Sequence, residues 1–108
     1  MSNTGWKEDL ARDLEAYTLG EVPSAFEMLR APTIEHWSTE VRPLGKEYKL
    51  VVHGEARKHP DYQDGETITT AAVHWFDRKG LFVRTAHRLY VLGEQRGDEI
   101  GVDGIDSE

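Results

Sequence analysis

The chain has 108 residues and a formal net charge of −7, with 38% hydrophobic residues, 31% charged residues and no cysteine. This is the size and composition of one ordinary domain, without a disulfide framework or a thiolate metal site. The start of the chain has no apolar run and no stretch elsewhere is long enough to span a bilayer, so neither a signal peptide nor a membrane segment is expected, and a cytoplasmic protein is.

The first element is a helix over residues 4–19. Trp6, Leu10, Leu14 and Tyr17 recur at helical spacing with charged residues between them, which puts one apolar stripe on an amphipathic helix. Thr4 or Asn3 suits its N-cap, Glu8 and Asp9 suit its positive end, and Gly20 ends it. A shorter helix over residues 24–30 is signalled by Ser24 with Glu27 three positions on, the spacing of a capping box, and Phe26, Met28 and Leu29 are its apolar residues. Pro32 stops it.

From Trp37 the period changes to two. Trp37, Thr39 and Val41 precede Pro43-Leu44-Gly45, and Tyr48, Leu50 and Val52 follow, which predicts a hairpin. After a loop from Glu55 to Gly65, the segments Thr67–Phe76 and Leu81–Leu92 flank Asp77-Arg78-Lys79-Gly80 and predict a second hairpin. The expected fold is therefore α+β: two N-terminal helices, then a four-stranded, mainly antiparallel sheet over residues 37–92, in one domain of residues 1–93. Residues 94–108, with three glycines among isolated Ile and Val, predict an acidic, disordered tail.

Charge is uneven along the chain. Residues 1–22 carry −3, residues 23–93 carry +1 and residues 94–108 carry −5. That balance argues against general nucleic-acid binding, which needs Lys and Arg to displace counterions, and suits a basic partner surface.

Catalytic patterns are missing. The serines lie outside any Gly-x-Ser-x-Gly turn, no glycine-rich loop resembles a phosphate cradle, and Asp61 and Asp64 stand before Gly65 as turn residues do. His74 and His87 fall on adjacent segments of the second hairpin, but pairing Phe76 with Leu81 sets them far apart and pairing it with Phe82 sets them on opposite faces. No metal, no cofactor and no enzymatic activity are expected.

Two groups of residues are candidates for binding. The loop Arg57, Lys58, His59, Pro60, Asp61 and Tyr62 combines charge, a stiffening proline and an amphipathic ring, a composition suited to a protein interface; the tail carboxylates Asp98, Glu99 and Asp103 would join it against a basic partner. Alternatively Arg84, Arg88 and Tyr90, read as one strand, share a face that would hold an anion, a nucleotide or single-stranded nucleic acid. A third possibility is a homodimer formed by an exposed edge strand, Trp37–Val41 or Leu81–Leu92.

The run Gly54…His59-Pro60…Asp64-Gly65…Ile68-Thr69-Thr70…Asp77…Arg84-Thr85…Arg88-Leu89-Tyr90-Val91-Leu92-Gly93, with Ala31-Pro32…Trp37 upstream, resembles a family of small bacterial and phage-borne proteins of unknown function. It departs from that pattern in that Ala56-Arg57-Lys58 stands between the glycine and His59. The resemblance implies a shared fold and a prophage context, and assigns no catalytic residue. Together with size and charge, it leads to the expectation of a small acidic protein-binding module. Such a phage accessory protein would inhibit a host nucleic-acid-handling or defence complex by occupying a basic surface, by analogy with anti-CRISPR proteins.

Overall fold

The computed structural model describes residues 5–96. Helix α1 runs Gly5–Thr18 and helix α2 runs Ala25–Arg30. Six strands follow: β1 Thr33–Leu44, β2 Glu47–Arg57, β3 Thr67–Thr69, β4 Val73–Phe76, β5 Phe82–Thr85 and β6 Leu89–Leu92. They form one sheet in the order β3-β2-β1-β6-β5-β4, antiparallel except where β6 lies parallel to β1 at Thr33↔Val91 and Ile34↔Leu92. Among the described residues no helix is long and apolar enough to cross a membrane.

This corrects the expected four-stranded antiparallel sheet on two points. Each long segment of the second hairpin breaks in two: Thr67–Phe76 turns at Thr70–Ala72, and Leu81–Leu92 turns at Ala86–Arg88, where the Thr85 N–H donates to the Arg88 carbonyl at 2.9 Å. The sheet is also mixed, because the chain returns after β5 to place β6 against the start of β1. Alternation marks which side chains share a face and carries no information about the neighbouring strand. The register between β4 and β5, Phe76↔Val83 with a bulge between Val73 and Trp75, differs from both pairings considered from the sequence.

The two edge strands, β3 and β4, are joined by only residues 70–72. Three extended residues span about 10 Å, so the sheet curls to bring its two edges near one another as a half-shell. Thr70 carries the β2–β3 ladder one residue further before the chain turns: its N–H donates to the Val52 carbonyl and its Oγ1 accepts from the Val52 N–H at 3.0 Å. The inside holds Ile34, Trp37, Val52, Ala56, Ile68, Val83, Tyr90 and Leu92, with Val73 and Phe76 packed against them. Helix α1 covers the outside over β4 and β5, where Tyr17 meets Phe82 and Trp75 at ring separations of 5.1 and 5.7 Å. Strand β5 is consequently buried on both faces.

One glycine permits the roll. A Cβ on Gly54 would collide with the Ile34 side chain and stand 2.8 Å from the Glu35 carbonyl, at the place where β1 bulges between Glu35 and Ser38. The absent side chain lets β2 lie against that bulge. Beyond it, β1 and β2 project as a hairpin closed by a two-residue turn whose first residue, Gly45, has φ 61°, the conformation such turns assign to glycine.

Candidate functional site

The loop after β2 is built around a buried histidine. Lys58, at φ 60°, turns the chain, and its N–H donates to Asp64 Oδ1 at 2.9 Å; the Gly65 N–H donates to the Ala56 carbonyl at 2.8 Å. His59 is thereby swung under the sheet, where it is 8% exposed. Its Nδ1 accepts from the Asp61 N–H at 3.0 Å, so in the neutral ring the proton is on Nε2, which donates to the buried Tyr90 hydroxyl at 3.1 Å. Burial, with a smaller contribution from Arg88, holds the His59 pKa below the ordinary histidine value, against the opposing pull of Asp61. Tyr62 closes over the imidazole edge-on at 4.7 Å and keeps 44% of its own surface in solvent.

Helix α2 lies beside this loop, and Lys58 joins them by donating from Nζ to the Leu29 carbonyl at 2.8 Å. The helix has a complete capping box: Ser24 Oγ accepts from the Glu27 N–H, and Glu27 Oε1 accepts from the Ser24 N–H, each at 3.1 Å. Yet it buries no residue. Phe26 and Leu29 are 64% and 70% exposed, and the Arg30 guanidinium lies over the Phe26 ring at 5.4 Å. From the other side Arg88, in the β5–β6 turn, reaches Asp61 of the loop at 3.9 Å. Between α1, α2 and that turn runs a groove of about 490 Å³ lined by Tyr17, Phe26, Arg30, Pro32, Arg84, His87, Arg88 and Leu89, with Asp13 and Glu27 as its carboxylates.

The three proposed anion-binding residues do not share a face. Tyr90 pairs with Val83 and points inside, whereas Arg84 pairs with Leu89 and points out under α1. Two bonds commit Arg84 to Asp13, Nη2 at 3.1 Å and Nε at 3.3 Å, and Nη1 donates to its neighbour's carbonyl on Thr85. The turn at Ala86–Arg88 is the reason: with a reversal between them, same-strand parity no longer applies. Arg84 and Arg88 both line the groove, Arg84 with its guanidinium already bound to Asp13, and Tyr90 does not reach it. Of the proposed partner-binding residues, Lys58, His59 and Tyr62 come together at the loop, Arg57 is exposed beside Glu55 at 3.8 Å, and Asp98, Glu99 and Asp103 lie outside the described residues. His74 is exposed at the β4 bulge, and His87 stacks on Trp6 at 4.4 Å.

Sequence reasoning named Phe26 and Leu29 only as the apolar residues of a short helix and did not place them at a surface, and so missed the centre of this one. The spacing of Phe26 and Arg30 at i and i+4 was the available signal, because that pairing belongs to solvent-facing helix surfaces. A second exposed network also went unread: on the outer face of β1–β3, His53 joins Thr69 Oγ1 at 2.7 Å through Nδ1 and Glu40 through Nε2. Arg42 and His53 together hold Glu40 below the usual carboxylate range. No group of three or more His, Cys, Asp or Glu among the described residues is arranged to hold a metal ion.

No family model, no curated protein and no solved structure matches this chain.

Proposed function

We propose that this protein acts by binding another protein, through the surface where α2, the Lys58–Tyr62 loop and the β5–β6 turn meet. One observation carries the reading: α2 is capped at its N-terminus and tethered by Lys58, yet contributes nothing to the core. A helix of six residues is far below the length that is stable alone, so its retention is explained by what it displays. It displays a phenylalanine, a leucine and an arginine, with Lys58, Tyr62 and Arg88 around them. Aromatic and arginine anchors with an exposed apolar neighbour are the composition of interface hot spots. The surplus of Arg30, Lys58 and Arg88 over Glu27 and Asp61 selects a partner segment that carries acidic and apolar side chains. Binding without turnover is the activity, and its setting is the cytoplasm, which the cysteine-free sequence suits.

A second reading rests on the charge of the chain's end. Residues 94–108 account for −5 of the net −7, while the described residues carry thirteen basic against fifteen acidic groups, or −2. On this reading Asp98, Glu99 and Asp103 grip the basic surface of a host nucleic-acid-handling or defence complex, and the protein is a phage-borne inhibitor of it, by analogy of size and charge with anti-CRISPR proteins.

A paired capture experiment from a bacterial host lysate sorts the two. Phe26→Ser with Leu29→Ser should abolish retention of a stoichiometric partner if α2 is the contact. Reversal of Asp98, Glu99 and Asp103 to lysine should abolish it if the carboxylates are. Retention undiminished in both variants would remove both readings.

A further inference from the structure

The strand β1 has two different edges along its length. From Thr33 to Trp37 it lies between β2 and the β6 segment, ending with the Arg96 N–H on the Trp37 carbonyl at 2.8 Å. From Ser38 to Leu44 its one strand neighbour among the described residues is β2. Among the described residues, the other edge of that stretch has no strand on it, and the projecting hairpin is apolar there: Val41 is 62% exposed, Leu44 55% and Tyr48 76%. Val41 pairs with Leu50 and Pro43 with Tyr48, so these four share one face of the hairpin.

The turn decides which backbone groups point outward. In a hairpin closed by two residues, the flanking pair is hydrogen-bonded and the pairs then alternate. Leu44↔Glu47 and Arg42↔Lys49 are therefore bonded across the hairpin, while Pro43, Val41 and Thr39 turn their backbone groups to the free edge. Proline has no N–H to offer, so this edge presents the N–H groups of Thr39 and Val41 and the carbonyls of Thr39, Val41 and Pro43. Edges of this length are normally blocked or covered, and the two charges this one carries, Glu40 and Arg42, are of opposite sign.

We propose that this edge is the site at which two copies of the chain pair, antiparallel about a two-fold axis at Val41. In that register the two Val41 residues exchange both backbone bonds, and each Thr39 N–H meets the Pro43 carbonyl of the other copy. The missing proline N–H costs one bond in each Thr39–Pro43 pair and leaves the Thr39 carbonyl to solvent at the rim, so the interface has four backbone bonds in all. The side chains are self-complementary: Glu40 of one copy stands opposite Arg42 of the other, twice, which is the cross-strand arrangement an isologous interface requires. The apolar faces of Val41, Pro43, Tyr48 and Leu50 become one continuous face across the axis. The chain's own residues 97–108 are the poorer occupant, since continuing the parallel register of Trp37↔Gln95 would set Asp98 opposite Glu40.

Sedimentation of the full chain over about 10 μM to 1 mM tests the pairing, with four bonds and a small contact placing the dimer at the weak end of interfaces. The expected result is a mass that rises from one chain to two. Arg42→Glu, which puts Glu against Glu at both contacts, should weaken the dimer about tenfold or more. The double variant Glu40→Arg with Arg42→Glu restores opposite charges and should recover it, which a defect in folding would not. A one-chain mass throughout, a dimer indifferent to Arg42→Glu, or a double variant that stays monomeric would each overturn the proposal.

Discussion

Helices α1 and α2 are both short, charged and striped with apolar residues, but they occupy opposite kinds of environment. Helix α1 turns its stripe onto β4 and β5, burying Leu10 and Tyr17 and pairing Asp13 with the buried Arg84. Helix α2 turns Phe26 and Leu29 outward and is held in place from below by Lys58. The difference separates residues that maintain the fold from residues that are proposed to face a partner, although both sets read alike as an apolar period. Stability measurements and binding measurements should divide along it.

The largest effect is expected at Tyr17. Tyr17→Ala removes a buried ring that touches both Phe82 and Trp75, and should cost about 3 kcal/mol in urea unfolding. Next is Asp13→Ala, which takes the carboxylate from the Arg84 guanidinium, itself 8% exposed. Asp13 itself is one-third exposed, so the loss should be about 2 kcal/mol, below the figure for a fully buried pair.

The loop that ties α2 to the body should respond to acid. Folding depresses the His59 pKa, so the unfolded chain binds the proton more readily. The stabilising contribution is complete above the ordinary value of about 6.5 and is lost as pH falls through the lower, folded value. Unfolding midpoints measured between about pH 8 and pH 5 should fall more steeply for the wild type than for His59→Gln, which keeps an N–H for Tyr90 but does not titrate. Equal slopes would show that His59 is not the titrating group.

Effects on α2 should be smaller and local. Ser24→Ala removes the capping bond and should cost about 1 kcal/mol of helix stability, seen as faster amide exchange at Glu27 and Met28 with little change in the global midpoint. Phe26→Ser and Leu29→Ser should each shift the midpoint by less than about 0.5 kcal/mol while removing partner binding. Global destabilisation by either would place α2 in the fold and collapse the distinction between the two helices.

Part of the candidate site could be read directly. The Arg57–Tyr62 loop announced itself through Pro60, Asp61 and the Asp64-Gly65 turn, since these residues act on their own backbone. Its union with α2 through Lys58 and Leu29, 29 positions apart, left no mark on local spacing. The grouping of Arg84, Arg88 and Tyr90 went astray for a related reason: the reversal at Ala86–Arg88 contains neither Gly nor Pro and is held by Thr85, whose N–H and hydroxyl both donate to the Arg88 carbonyl.

What the sequence by itself determined was short-range. The spacing of Trp6, Leu10, Leu14 and Tyr17, the Ser24–Glu27 box and the glycine turn at Gly45 each satisfy backbone groups or align side chains within a few residues, so composition there is sufficient. The tertiary structure alone decided that β6 returns parallel to β1, that the chain passes from one sheet edge to the other over three residues, and that one helix docks its stripe on the sheet while the other displays it. Those outcomes depend on which surfaces meet across dozens of residues. An apolar period states only that a face exists, and packing selects what covers it.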